Sequence, residues 1–269
     1  MSNDLPVGIF DSGVGGLTVV KEILKSLPNE NLIYLGDTAR VPYGTRDNET
    51  INEFSNDLVG FMLKKHVKAI VVACNTISAV ALPCIIKSAG NIPVIDVISP
   101  TVEYVLTDED LNTIGIIGTR ATINSHAYEN QIRNINKDIQ VFSTAGPLFV
   151  PLIEEGFSDS PQAFEISKKY LSYFDDKNLD LLILGCTHYP ILRQIIEKTL
   201  RRRIKIVDSA LPTAEKLKKV LTQEKILNTE NRKPKLEFYV TDNPARSFEI
   251  ANIFFNSNFP GKIEKTTLA

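Results

Sequence analysis

Cysteine is scarce, with three among 269 residues. The three are an odd number and lie far apart, which argues against a disulfide framework of the kind that staples small secreted domains. Cys74, Cys84 and Cys186 are therefore read as free thiols in a reducing compartment. Neither sign of charge is in excess: 30 Lys+Arg stand against 32 Asp+Glu, a formal net charge of −2. No global field recruits nucleic acid or an anionic membrane surface. No apolar run approaches the ~18 residues that a membrane-spanning helix needs. The opening "MSNDLPVGIFD" lacks both the basic start and the sustained apolar stretch of a secretory signal. The expectation is a cytoplasmic protein of one or two domains, whose 43% hydrophobic content is enough for a full core.

What the chain does have is alternation. "PVGIF", "NLIYLGD", "AIVVAC", "PVIDVI", "TIGIIG", "IQVFS", "LLILGC" and "IKIVDS" are short apolar runs of strand length bounded by Gly, Asp, Asn or Pro. Between them lie segments of helical period, such as "DNETINEFSNDLVGFMLKKH" with Asp47 as N-cap. Another is "SPQAFEISKKYLSYF", with Ser160 as cap and Pro161 in the first helical position. Strand, helix, strand in repetition predicts an α/β fold with mainly parallel sheets and helices on both faces. "VGIFDSG" resembles "IGIIGTR", and "AIVVACNT" resembles "LLILGCTH", a pattern that suggests two related halves with one cysteine in each. The natural boundary falls near "DVISPTVEYVLTDEDLN", because a new strand series begins after it.

Ligands of open α/β sheets gather beyond the carboxyl ends of the strands. Three such ends carry unusual chemistry: Asp11 to Gly16 in "DSGVGG", Cys74 to Thr76 in "CNT", and Cys186 to Pro190 in "CTHYP". A cysteine that closes a strand and precedes a helix sits where backbone N–H groups and the helix dipole favour an anion, so both thiols are expected to be lowered toward reactivity. Cys84, in "ALPCIIK", reads instead as a space-filling residue of an apolar helix. His188, two positions after Cys186, is near enough to orient or protonate something beside that thiol. Asp11 either caps the helix beginning near Gly15 or faces the crevice, and the two roles are compatible.

Other chemistries fit less well. In "DSGVGGLT" the spacing from Gly13 and Gly15 reaches Thr18 where a dinucleotide fingerprint needs Gly or Ala. Asp37 lies at a plausible ribose distance, but Asp11 would face the pyrophosphate. Cys186-x-His188 is not structural zinc spacing, and no CxxC completes it. The basic run Arg201 to Arg203 reads as solvated surface at a helix end.

If the halves face one another, Cys74 and Cys186 could approach one carbon from opposite sides. One thiolate would take a proton and the other thiol would return one, giving the mirror-image centre. Near-attack contact then puts the sulfurs roughly 6–8 Å apart across the substrate, too far for a disulfide. For an amino acid the carboxylate must absorb the developing charge, and Ser12, Asn75, Thr76 and Thr187 are candidate donors. No bound cofactor is required by this scheme, although the sequence does not exclude pyridoxal phosphate. A Cys-His hydrolase with Cys186 as nucleophile is the competing chemistry.

With "GIFDSGVGGLTV", "GDTARVPYGTR", "VVACNT" and "LGCTHYP" in order, the chain resembles the glutamate racemases of the cofactor-independent aspartate/glutamate racemase superfamily, over Gly8 to about Asp208. The resemblance implies two pseudo-symmetric α/β domains with the active site in the cleft between them: residues 1–98, residues 99–208, and a segment 209–269 that returns to the first. It implies Cys74 and Cys186 as acid/base residues. Asp11, Ser12, Tyr43, Gly44, Asn75, Thr76, Thr187 and His188 would be substrate contacts, with Asp11 and His188 also assisting the thiols. It further implies glutamate as substrate, no cofactor or metal, D-glutamate for peptidoglycan synthesis as the product, and a homodimer. Aspartate stays open on residue chemistry alone, because it carries the same two carboxylates on a chain one methylene shorter. Glu154 is expected near the His188 side, outside the core set. Gly146 stands where many of the resembled proteins have cysteine, a local packing difference.

Overall fold

The computed structural model describes residues 3–200, 202–230 and 232–268. Its first stretch alternates β1 (Val7–Asp11), α1 (Leu17–Ser26), β2 (Leu32–Gly36), α2 (Asn48–Lys64), β3 (Ala69–Val72), α3 (Asn75–Ala89), β4 (Val94–Asp96) and α4 (Ile98–Val105). The second runs β5 (Thr113–Gly118), α5 (Arg120–Asn124), α6 (Ala127–Ile135), β6 (Gln140–Ala145), α7 (Phe149–Glu154), α8 (Pro161–Leu171), β7 (Leu181–Gly185), α9 (Arg193–Thr199) and β8 (Lys205–Asp208). The chain closes with α10 (Ala210–Gln223), β9 (Leu236–Val240), α11 (Pro244–Phe254) and β10 (Ile263–Lys265).

All eight expected strands form. They make two parallel sheets, ordered β10-β9-β2-β1-β3-β4 and β6-β5-β7-β8. Within each, the first strand of the series lies between the second and the third, so the same 2-1-3-4 order appears twice. Consecutive connections leave β1 and β5 in opposite directions, and this reversal opens a crevice at the carboxyl end of each central strand. β9 and β10 are additions not expected from the sequence, paired in parallel next to β2. They are short and only partly buried, so their pattern lacks the continuous apolar run of the central strands.

Burial on both faces explains those runs. In β1 and β3, Ile9 and Val71 pack with α1, whereas Phe10, Ile70 and Val72 meet Ile51, Leu58 and Met62 of α2 and Ile77, Ala81 and Ile85 of α3. In the other sheet Ile114, Ile116, Leu181 and Ile183 pack with α4 and α6. The expected caps are present: Asp47 accepts the Thr50 N–H at 2.7 Å and Ser160 the Ala163 N–H at 3.1 Å. The segment proposed as a boundary is itself ordered, as the end of β4 and helix α4.

Cys84 departs from expectation. It is half-buried and donates to Asn56 Oδ1 at 3.2 Å, because Ile77, Ala81 and Ile85 form the inward stripe of α3 and Cys84 lies beside it. Arg201 of the basic run lies outside the described residues. Among the described residues no helix is long and apolar enough to cross a membrane.

Candidate active site

Four strand ends converge on a cavity of about 360 Å³, the size of a small-molecule site. It is lined by Asp11 and Ser12 after β1, by Cys74, Asn75 and Thr76 after β3, by Thr119 after β5, and by Cys186, Thr187 and His188 after β7. Tyr43 and Gly44 line it from a single 3-10 turn between β2 and α2. Every residue expected at the site therefore lies on one cavity.

The β1–α1 loop folds tightly over its own strand. Asp11 Oδ2 accepts the Gly16 N–H at 2.7 Å, while Oδ1 has no protein partner. Asp11 thus does what both readings expected, holding the start of the helix and presenting an oxygen. Tyr34 donates to Gly13 O at 2.8 Å, and that carbonyl passes so close to Gly36 that a Cβ there would be 2.1 Å from it. At the next turn the loop meets the other half: a Cβ on Gly15 would lie 2.3 Å from His188 Nδ1 and 2.4 Å from Thr187 Oγ1. Thr18 Oγ1 donates to Thr187 O at 3.0 Å across the same seam.

Cys74 occupies the N-cap position of α3 and is nearly buried, its Sγ 3.4 Å from Ser12 Oγ. Thr76 and Thr119 hydroxyls meet at 2.8 Å, joining the β3 and β5 ends. Asn75 accepts from the Tyr128 hydroxyl at 2.7 Å, and its Nδ2 has no partner. The Tyr43 hydroxyl points away from this group, donating to the fully buried Asp37. Asp37 also accepts from Arg40 and from Thr241 Oγ1 at 2.8 Å, so its carboxylate anchors the Tyr43 loop to the end of β9 and is not offered to a ribose.

On the opposite side, Cys186 Sγ lies 4.0 Å from His188 Nδ1, and His188 Nε2 is 2.9 Å from Glu154 Oε1. Glu154, set aside on sequence grounds, is thus the direct partner of the imidazole. It closes α7, 34 residues upstream, and no local spacing connects the two. The Phe254 ring of α11 meets the imidazole edge-on at 5.5 Å. Gly146 has room for no more than a snug side chain, with Phe149 at 3.0 Å and the Tyr189 hydroxyl at 3.3 Å from a built Cβ.

The two sides differ electrically. Burial pushes the Cys74 thiol up, and the Asp11 carboxylate adds to it, outweighing Ser12 and the backbone donors of the α3 start. This corrects the expectation that a helix N-terminus lowers both thiols, since removal from water dominates at Cys74. Asp11 is itself raised by burial, although the His188 charge and the Gly16 and Ser12 N–H groups pull it back. His188 goes the other way from most buried imidazoles. Burial opposes its charge, yet Cys186 and Glu154 together push it up to about 10. A neutral thiol beside a carboxylate thus faces a cavity whose other wall holds a thiol beside an imidazolium. Among the described residues no cluster of three or more His, Cys, Asp or Glu is placed to hold a metal ion.

Comparison with known proteins places this arrangement among relatives. A family model described as Asp/Glu/Hydantoin racemase matches residues 10–217. A glutamate racemase of Chlorobium phaeobacteroides is 45% identical over 255 residues, covering 95% of this chain and 94% of that protein. The glutamate racemase of Francisella tularensis, solved in complex with D-glutamate, superposes with a TM-score of 0.92 at 45% identity, covering 99% of this chain and 98% of that one. The Thermus thermophilus glutamate racemase, in complex with beta-chloro-D-alanine, gives 0.89 at 38% identity over 100% and 99% of the two chains.

Proposed function

The chain belongs to the Asp/Glu/Hydantoin racemase family, and on that premise we propose that it interconverts L- and D-glutamate by a two-cysteine acid/base mechanism. The observation that carries this reading is the placement of Cys74 and Cys186 after equivalent strands of two like-ordered sheets, both facing one cavity. Glutamate is preferred to aspartate because glutamate racemase is the name borne by relatives at 45% identity along nearly the whole chain.

Cys186 Sγ, beside the His188 cation, takes the Cα proton. The electron pair of the broken C–H bond moves into the α-carboxylate. There the unpartnered Asn75 N–H₂ and the Thr76 and Thr187 hydroxyls can hold the growing negative charge. Cys74, kept protonated by burial and Asp11, delivers its proton to the opposite face. After one turnover the sulfurs have exchanged states, Cys186 as thiol and Cys74 as thiolate, which is the starting point for the reverse reaction. Asp11 stabilises the Cys74 side in its protonated form, and His188 stabilises a thiolate at Cys186. The scheme uses only the chain's own groups.

Residues 1–98 and 209–269 form one domain in this reading and 99–208 the other, in keeping with the membership of the two sheets. The protein would act in the cytoplasm as a homodimer, supplying D-glutamate for peptidoglycan synthesis. The test is incubation with L-glutamate in D₂O. D-Glutamate carrying deuterium at Cα is expected; substrate that keeps both its rotation and its hydrogen would refute the reading.

A further inference from the structure

Asn75 carries a buried amide whose two ends are treated differently. Its Oδ1 accepts a 2.7 Å hydrogen bond from the Tyr128 hydroxyl, whereas its Nδ2 has no partner in the protein. The residue is 2% exposed and lines the cavity. A buried N–H₂ without an acceptor is costly unless something else supplies one. In a cavity, a water or a ligand oxygen can supply it.

An amide can be turned end for end at little cost in shape, which would present an acceptor where a donor stands. What decides the orientation is the partner's hydrogen. Tyr128 is 2% exposed, and burial together with the nearby Asp96 pushes its phenol up, so the hydroxyl stays protonated and has a proton to give. In the structure it gives that proton to the amide oxygen, which leaves the N–H₂ end without a protein partner. Tyr128 lies on α6, whose backbone begins after His126 in a left-handed conformation (φ 55°), whereas Asn75 opens α3 of the other half. The bond thus spans 53 residues and the seam between the two sheets.

We propose that Tyr128 is a positioning residue: by holding Asn75 Oδ1, it turns the Asn75 N–H₂ toward the cavity, where it receives a substrate carboxylate. This rests on the glutamate reading above and extends it to a residue that does not itself line the cavity. Tyr128→Phe removes one oxygen, leaves the ring packed, and lets the amide rotate to either orientation.

The experiment is calorimetric titration with D-glutamate of the unmodified protein, Tyr128→Phe, Asn75→Ala and the double variant, with thermal midpoints recorded alongside. Tyr128→Phe is expected to weaken binding about tenfold. In the Asn75→Ala background it should weaken binding no further, because its effect passes through the amide; a merely structural role would add to that of Asn75→Ala. Equal binding by Tyr128→Phe and the unmodified protein, or additive losses in the double variant, would overturn the proposal. If the unmodified protein binds no D-glutamate, the substrate reading fails and takes this proposal with it. One measurement does not depend on the variants' folding: in the unmodified protein the side-chain N–H₂ signals of Asn75 should move when D-glutamate is added. Signals that stay in place would likewise overturn it.

Discussion

Glu154 Oε1 lies 2.9 Å from His188 Nε2, on the far side of the imidazole from the Cys186 sulfur, which stands 4.0 Å from Nδ1. The ring is thereby held between two acceptors, one fixed to α7 and one at the reacting position. A histidine so placed is kept protonated well above its ordinary range, and its charge is available to whichever form of Cys186 is negative.

This has a consequence for stability against pH. The folded His188 binds its proton up to about 10, against an ordinary value of 6.5. Its contribution is therefore fully present below about 6.5 and is lost as pH rises toward 10, the unfolded chain having released the proton earlier. The thermal midpoint is expected to fall across that window. In Glu154→Gln the alkaline end of the window should move down by about one unit, because one of the two supporting partners is gone. Unfolding curves of both proteins from pH 6 to 10 measure it, and coincident profiles would contradict the assignment.

Removing either sulfur should stop racemisation. Cys74→Ala and Cys186→Ala are each expected to lower kcat by about 10²–10⁴-fold, the range of a single acid/base group. A Cys-His hydrolase relying on Cys186 alone would tolerate Cys74→Ala, so the symmetry of the losses separates the two chemistries. Polarimetry on both variants is the measurement.

Gly15→Ala should loosen the seam between the halves. The new methyl would lie 2.3 Å from His188 Nδ1 and 2.4 Å from Thr187 Oγ1, and the imidazole cannot withdraw without disturbing its contact with Glu154. A destabilisation of about 1–3 kcal/mol is expected, as for an overpacked interior, together with a loss of activity larger than stability alone explains. Denaturant titration and initial rates on the same preparation test both.

Stability should also be separable from chemistry. Lys68 and Glu30 form a fully buried pair at 2.5 Å, and Lys68 donates to Asn3 O at 2.6 Å and Ile226 O at 2.9 Å. Glu30 in turn accepts the Asn228 N–H at 2.7 Å. The pair therefore ties the chain after α10 and the segment before β1 to the starts of β2 and β3, away from the cavity. Lys68→Met leaves Glu30 uncompensated in the interior and should cost about 3–5 kcal/mol. Activity per folded molecule should remain unchanged at low temperature. A variant of normal stability would show that the pair adds nothing.

Expectation and structure agree where a property repeats locally and diverge where it depends on distant neighbours. Continuous apolar runs mark β1, β3, β5 and β7 because strands buried on both faces admit almost nothing else. β9 escaped notice because it is half-exposed and alternates like much else on the surface. The caps Asp47 and Ser160 were readable, since each acts within three residues of itself. Asp37 shows the limit of spacing. Its distance from the glycines suited a ribose, but Tyr43, Arg40 and Thr241 occupy its oxygens.

The order of residues along the chain was enough to predict parallel sheets and the strand ends that carry Asp11, Cys74, Cys186 and His188, all of which line one cavity. Period and turn chemistry are written over a few neighbouring positions, so they survive without coordinates. Folding alone decided that Tyr128 holds Asn75, that Gly15 presses on the imidazole, and that Cys74 is raised rather than lowered, and it turned the expected nearness of Glu154 to His188 into a direct contact. Those outcomes depend on which groups from separate segments exclude water from one another, and exclusion is a property of three-dimensional neighbours.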